Sequence, residues 1–160
     1  MRGYAFALAL VCLLAPGANA ETLAETASKA GLLGMWSADC SKPPSKENWY
    51  VTYAAAPDGG VTLHYDRGPA GTEDAVMDYI EILGDGNVLI RTRRARLILG
   101  WFRGGTTEMV HHIEGDHKRQ LQSAQSYGPT SRVPIKDGLW DSGEPTQLHE
   151  RCSARAIPIS

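Results

Sequence analysis

The segment 34–40, Gly-Met-Trp-Ser-Ala-Asp-Cys, constrains the fold of this chain more than any other segment. Gly34 permits a sharp entry into an extended run. Trp36 brings a large apolar surface and one N–H that needs a hydrogen-bond partner when it is buried. Cys40 lies four residues further on, so in a strand it shares a face with Trp36. The segment therefore predicts a first β-strand anchored by a core tryptophan and a structural half-cystine, and this interpretation is favoured over a catalytic role.

Residues 1–20 carry the three parts of a secretory signal peptide. Arg2 supplies a positive charge, residues 5–15 form an apolar run, and residues 18–20 are a small-x-small cleavage site. The apolar run is too short to span a membrane. Cys12 lies inside this run and not at the cleavage point, which does not match a lipoprotein. The sequence therefore predicts a periplasmic or secreted protein without a membrane span.

The predicted mature chain, residues 21–160, has the size of a single domain with a substantial core. The full chain carries 16 basic and 18 acidic side chains, for a net charge of −2. This balance gives no reason to expect nucleic acid as a partner. Once Cys12 is removed with the signal peptide, Cys40 and Cys152 remain. An even pair of cysteines in an exported protein predicts a disulfide bond between them.

Hydrophobic periodicity predicts one short helix and about eight short strands. The helical pattern covers residues 21–30, and Gly31 follows it as a residue that commonly ends helices. Turn signals that predict hairpins occur at three places, 57–60, 85–86 and 115–116. The stretch 128–145 is rich in Pro, Gly, Ser and Asp and is predicted to be mostly loop. The predicted fold class is all-β, an antiparallel up-and-down meander that closes into a small barrel, with a split sandwich as the alternative.

Two of these turns also predict strand registers. At residues 57–60, a three-residue loop with Gly60 in the left-handed conformation brings the apolar faces together and places Tyr53 opposite Tyr65. At residues 85–86, a two-residue loop places Asp78 directly opposite Arg93, as an opposite-charge pair.

The short helix leading into Gly34-Met35-Trp36 on the first strand of an exported β-meander resembles the lipocalin and calycin barrels. In that family the tryptophan closes one end of the barrel, often beneath a basic residue from a late strand. The resemblance makes Arg151 the candidate for this basic residue. The layout is also similar to small bacterial periplasmic protease inhibitors, although their disulfide is a local one. The pattern of residues 137–152 looks like exported proteins of alphaproteobacteria, which implies a location and a terminal disulfide but no activity.

The sequence shows no constellation of catalytic or metal-binding residues. His111 and His112 are adjacent, so in a strand they point to opposite faces. No His-x-His or Cys-x-x-Cys spacing of the kind used by metal sites occurs. A nucleophile elbow, a glycine-rich phosphate loop and an identifiable carboxylate pair are also missing from the sequence. The chain is therefore predicted to be no enzyme and to use no metal or cofactor.

The one unusual feature is a cluster of four arginines, Arg91, Arg93, Arg94 and Arg96. Strand alternation places the first two on one face and the last two on the other, together with apolar residues. One hypothesis is an anion-binding patch, because the planar guanidinium binds both oxygens of a carboxylate or phosphate. The alternative, which is favoured, is a solvated strand end or a bulge that resets the faces.

Two functions from different classes remain. The first is a non-catalytic exported barrel that binds a small amphiphilic or anionic ligand in an enclosed cavity. The second is an inhibitor or interaction protein that acts on another exported protein through an exposed segment, for which residues 21–30 and 128–145 are the candidates. A structure that shows a cavity would favour the first.

Overall fold

The computed structural model describes residues 20–94, 105–127 and 130–153, with the backbone alone at Arg94 and Tyr127. One helix and ten strands lie within these ranges. They are α1 (Leu23–Lys29), β1 (Gly34–Ser37), β2 (Tyr50–Ala55), β3 (Val61–Asp66), β4 (Thr72–Gly84), β5 (Asn87–Arg94), β6 (Thr106–Glu114), β7 (His117–Tyr127), β8 (Thr130–Lys136), β9 (Leu139–Trp140) and β10 (Leu148–Cys152). A 3-10 turn, Gly68–Ala70, connects β3 to β4. The predicted signal peptide lies outside the described residues except for its last position.

Eight strands close into an antiparallel barrel. Strands β1 to β7 are neighbours in chain order, and β10 pairs with both β1 and β7. The barrel closes because one edge of β7 pairs with two different strands along its length. Residues 117–119 pair with β10, while residues 123–127 pair with β8. The predicted meander barrel is confirmed.

The prediction of a mostly looped stretch at residues 128–145 is wrong for its central part. Residues Thr130–Lys136 form β8, which lies beside β7, and β9 pairs with β8 in turn. Pro134 does not prevent strand formation because it lies at an irregularity of the β7–β8 pairing, where a missing N–H is tolerated. Composition alone does not show this, since the neighbouring β7 supplies the pairing.

The disulfide joins the turn that follows the first barrel strand, β1, to the last barrel strand, β10, as predicted. Cys40 and Cys152 are bonded with their Cα atoms 5.4 Å apart and 112 residues apart in sequence. Cys152 lies directly opposite Met35 across the β1–β10 pair. The predicted first strand is shorter than expected, because β1 ends at Ser37 and Cys40 follows in a turn.

Both predicted hairpin registers are wrong by a small shift. Between β2 and β3, Tyr53 pairs with Leu63 and not with Tyr65. The loop lies one residue earlier than expected, because Ala56 N donates to the carbonyl of Gly60 and so encloses residues 57–59, and Gly59, not Gly60, has the positive φ of 82°. A shift of two residues keeps the same side chains inside the barrel.

Between β4 and β5, the register is displaced by irregularities at Asp78 and Leu83. Val76, not Asp78, therefore lies opposite Arg93. Asp78 nevertheless contacts Arg93, with 3.5 Å between a guanidinium nitrogen and a carboxylate oxygen. The predicted ion pair forms although the predicted register does not.

One end of the barrel is filled with apolar side chains and covered by α1. The helix begins with a capping box, in which Thr22 and Glu25 satisfy each other's backbone N–H groups. Ala27 and Leu32 are fully buried against the barrel. The core contains these two residues and Trp36, Val51, Tyr53, Val61, Leu63, Ala75, Met77, Ile80, Val88, Ile90 and Met109.

Trp36 and Arg151 lock the covered end of the barrel. The Trp36 indole N–H donates to the carbonyl of Leu32 at 2.9 Å. The Arg151 guanidinium lies 4.4 Å from the centre of the Trp36 ring and donates to the carbonyls of Gly31 and Leu33. This is the arrangement that the lipocalin resemblance implies for Arg151.

Gly34 is required by the same contact. Its φ is +120°, a backbone conformation that residues with a side chain rarely adopt. A Cβ added at this position would lie 3.1 Å from an Arg151 nitrogen. The Gly-x-Trp pattern therefore has a physical cause in this chain, because the glycine leaves room for the arginine that covers the tryptophan.

Replacing Arg151 with Met is expected to lower the free energy of unfolding by about 2 kcal/mol. The change removes a cation–π contact and leaves two part-buried carbonyl groups without their charged donor. Urea unfolding of the variant measures the loss. Replacing the exposed Arg119 with Met is the matched control, and an equal effect of both changes would contradict the role assigned to Arg151.

Candidate functional site

The barrel contains a cavity that opens at the end away from α1. Two connected regions of about 310 and 340 Å³ make up this cavity. They share six lining residues, Lys46, Trp49, Tyr65, Met109, Gln120 and Trp140. Each region has the size of a small-molecule site. The exposed Lys46 on the wall of both regions shows where the cavity reaches the surface.

Lys118 is the most unusual residue that lines the cavity. Its residue surface is only 3% exposed, and its Nζ donates to the Tyr53 hydroxyl at 3.2 Å. The same nitrogen lies 4.5 Å from the Tyr53 ring centre and 5.3 Å from that of Trp36. No carboxylate among the described residues forms an ion pair with it. Burial, and then the positive charge of Arg151, lower the pKa of Lys118 to about 7.

Two buried histidines face the same cavity with unsatisfied ring nitrogens. In the described part of the chain, both ring nitrogens of His111 and the Nδ1 of His149 have no hydrogen-bond partner. Burial, followed by the charge of Lys118, lowers the pKa of His149 to about 3, and burial lowers the pKa of His111 well below its ordinary value. Both imidazoles are therefore neutral at pH 7, and each offers one donor and one acceptor.

Aromatic side chains form the wall above these polar groups. The Trp49 ring lies 4.7 Å from the His149 ring in an edge-on arrangement and 5.8 Å from the Tyr65 ring. Trp140 completes this wall and remains 40% exposed. The cavity therefore combines an aromatic wall with a buried basic group at its base, which suits a molecule with an apolar body and a polar end.

Two of the four arginines in the predicted anion site have described side chains, and both lie outside the cavity. Arg91 and Arg93 are on the outer face of the barrel, where Asp78 pairs with both, at 2.8 Å from Arg91 and 3.5 Å from Arg93. Arg91 also lies over the ring of Tyr79. These two arginines do not line the cavity and already have a carboxylate partner. Arg94 is described by its backbone alone and Arg96 lies outside the described residues, so an anion site at those two positions stays a prediction.

The histidines behave as strand alternation predicts. His111 is buried inside the barrel, whereas His112 is on the outer face and contacts the Asn87 side chain at 3.0 Å. His64 contacts Asp74 on the surface at 2.7 Å. Within the described ranges, no three His, Cys, Asp or Glu side chains are grouped so that they can hold a metal ion.

Sequence reasoning missed Lys118 and His149 as site residues. Lys118 stands in the run His117-Lys118-Arg119, which is typical of a solvated strand end. Its inward direction follows from the pairing of β7 with β10, in which Lys118 lies opposite His149. The described side chains of β7 that line the cavity are polar (Lys118, Gln120, Ser123 and Gln125), so an apolar alternation, which is the signal that marks an inward face, does not occur among them.

Comparisons of the chain with protein-family models, with curated proteins and with solved structures give no match. The closed eight-stranded antiparallel barrel with its short helix fits a lipocalin-like fold, and its interior is compatible with ligand binding. Among the described residues, no helix has the length and apolar character needed to cross a membrane.

Proposed function

We propose that the chain is an exported, non-catalytic barrel that binds a small amphiphilic or anionic ligand in its cavity. The observation that carries this proposal is the buried amine of Lys118, which lines the cavity without a carboxylate partner among the described residues. A buried amine without a counter-charge is costly, and a ligand head group with acceptor oxygens offsets that cost.

The rest of the cavity supports the same kind of ligand. The unpartnered nitrogens of His111 and His149 provide further donors and acceptors beside the amine. The aromatic wall of Trp49, Tyr65 and Trp140 provides apolar contact for the body of the ligand. The polar base then orients the ligand, and the wall contributes most of the buried apolar area.

Export and ancestry are part of the proposal. The signal-peptide pattern of residues 1–20 supports a periplasmic or secreted location, where the Cys40–Cys152 disulfide persists. The Trp36–Arg151 contact supports a relation to the lipocalin and calycin barrels, and the pattern of residues 137–152 supports a relation to exported alphaproteobacterial proteins.

Expression of the full chain in a bacterial host, with N-terminal sequencing of the periplasmic product, tests export; a start at Glu21 is expected.

Hexanoate is expected to bind at least about tenfold more tightly than hexylamine, a difference of about 1.4 kcal/mol. Both probes contain six carbon atoms, and the alkyl chain of hexylamine is longer by one methylene, so apolar contact does not favour hexanoate. Only the carboxylate complements the basic group at the base of the cavity, whereas the ammonium is repelled by it. Trp49 and Trp140 line the cavity, so intrinsic tryptophan fluorescence reports the titration.

The matched variants for this titration are Lys118→Met and Lys136→Met. The first removes the amine inside the barrel, and the second removes an exposed amine on β8. Loss of the preference for hexanoate is expected only in the first variant. Equal affinities of the two probes for the unmodified protein would contradict the proposal.

A specific observation favours the interaction role as the second candidate. The segment 21–30 is packed against the barrel and is not free to act as an extended arm. Within residues 130–145, however, Val133 is 59% exposed and Leu139 is 46% exposed. Native mass spectrometry of protein purified from periplasm separates the two functions, because a retained small molecule and a bound protein add very different masses.

A further inference from the structure

We propose that the amine of Lys118 captures a small aldehyde or ketone in the barrel cavity as a reversible imine. This inference rests on the proposed ligand-binding function and names the chemical class of one ligand that the same site takes. It goes beyond that function because it replaces a purely non-covalent contact with a covalent bond that forms and breaks.

The amine of Lys118 lies where a ligand in the cavity can reach it. Lys118 is held between the rings of Tyr53 and Trp36, and its one hydrogen bond in the described residues goes to the Tyr53 hydroxyl. Lys118 and Tyr53 line the same cavity region of about 310 Å³. A ligand in this region therefore reaches an amine that forms no ion pair with a carboxylate in the part of the chain that the structure describes.

The environment of Lys118 also favours the neutral form of its amine. Only a neutral amine has the lone pair that attacks a carbonyl carbon, and an ordinary exposed lysine is neutral in roughly one molecule in a few thousand at pH 7. With its pKa lowered to about 7, Lys118 is neutral in about half of the molecules at that pH. Desolvation together with a neighbouring cation is the environment that activates imine-forming lysines, and Arg151 supplies the cation.

Imine formation at Lys118 needs no reactant other than the amine and the carbonyl compound. The nitrogen lone pair of Lys118 forms a bond to the carbonyl carbon, and the carbonyl π electrons move to the oxygen, which is then protonated to a hydroxyl. The hydroxyl leaves as a C=N bond forms. The two hydrogens of the amine and the carbonyl oxygen are released as one water molecule. No oxidant or reductant is consumed, and the same water reverses the reaction.

The side chains around the amine suit this step. Tyr53 is a positioning residue, because its hydroxyl holds the nitrogen at 3.2 Å. The unpartnered nitrogens of His111 and His149 donate hydrogen bonds to, and accept them from, the hydroxyl group and the water that the step produces. The aromatic wall then packs against the apolar part of the carbonyl compound.

Trapping with hexanal and sodium cyanoborohydride at pH 7 tests the proposal. The reductant converts an imine into a stable secondary amine, so a hexyl group replaces one hydrogen of the amine and the protein gains C6H12. Peptide mapping is expected to place the modification on Lys118 at a level at least about tenfold above that of any exposed lysine, because of the difference in neutral fraction.

Two variants sharpen the test. Lys118→Arg keeps a cationic side chain but removes the nucleophilic amine, and it is expected to lose the modification. Lys136→Arg changes an exposed lysine on β8, outside the cavity, and is expected to keep it. Hexanoate binding and circular dichroism show whether Lys118→Arg is folded, and peptide mapping of the unmodified protein needs no variant at all.

The outcomes also separate this inference from the proposed function. If hexanoate binds but the hexyl group is spread evenly over the exposed lysines, the imine proposal is overturned and the proposed function stands. If neither hexanoate nor 1-hexanol binds and Lys118 is not modified, both are overturned. Selective modification of Lys118 supports both.

Discussion

Replacing both Cys40 and Cys152 with alanine is expected to lower the free energy of unfolding by about 3–5 kcal/mol and Tm by about 10 °C or more. The bond closes a loop between residues 112 positions apart, and the chain-entropy model gives about 4.7 kcal/mol for a loop near that length. It acts mainly on the unfolded state, which loses conformational freedom when its ends are tied together. The expected loss is a large part of the roughly 5–15 kcal/mol that stabilises a typical domain.

Urea unfolding of the double variant measures this effect. The unmodified protein with the disulfide reduced is the matched control and should show the same loss, because it also has an unconstrained unfolded chain. The urea dependence should steepen in both cases, since a longer free chain exposes more surface. Two free thiols in the native protein, or an unchanged unfolding midpoint, would contradict the prediction.

Replacing Lys118 with Met is expected to abolish a rise in stability that the unmodified protein shows between pH 7 and pH 9. The folded-state pKa of Lys118, about 7, lies below the ordinary value of about 10.4. Between these values the unfolded chain binds one more proton than the folded protein, so the free energy of unfolding increases with pH. The slope approaches about 1.4 kcal/mol per pH unit.

The groups that face Lys118 from the neighbouring strands do not change the pH dependence of stability between pH 7 and pH 9. The pKa values of His111 and His149 are lowered by burial, so their contributions to stability are gained as pH rises to about 6.5 and are constant above it. Burial raises the pKa of Tyr53 well above its ordinary value, and Arg151 stays charged.

Denaturant unfolding at several pH values measures the slope, and Lys136→Met serves as the exposed control. The Lys118→Met variant is also expected to be more stable than the unmodified protein at pH 7, because an apolar side chain of similar length replaces an amine that is costly to bury. A persistent slope in that variant would assign the titration to another group.

The sequence alone determines the architecture of this protein because its strong signals are local. Alternating apolar residues and glycine turns are set by two-residue periodicity and by backbone sterics, so they indicate hairpins before any tertiary contact is known. The pairing of Cys40 with Cys152 is equally direct, because it follows from the number of cysteines in the predicted mature chain.

Strand registers required the tertiary structure. The irregularities at Asp78 and Leu83 move Val76 opposite Arg93, and the hydrogen bond between Ala56 and Gly60 places the loop of the preceding hairpin one residue earlier than predicted. Bulges and loop closures of this kind are decided by how neighbouring strands twist and pack, which a local pattern does not contain.

The candidate site was decided by the tertiary structure almost entirely. Arginines at 91 and 93 attract attention in the sequence, yet they lie on the outer face beside Asp78. Lys118 and His149 do not stand out in the sequence, yet the pairing of β7 with β10 turns them into the barrel. The physical reason is that closure of the barrel, and not residue type, determines which face of β7 is withdrawn from water, and withdrawal from water is what lowers the pKa of Lys118.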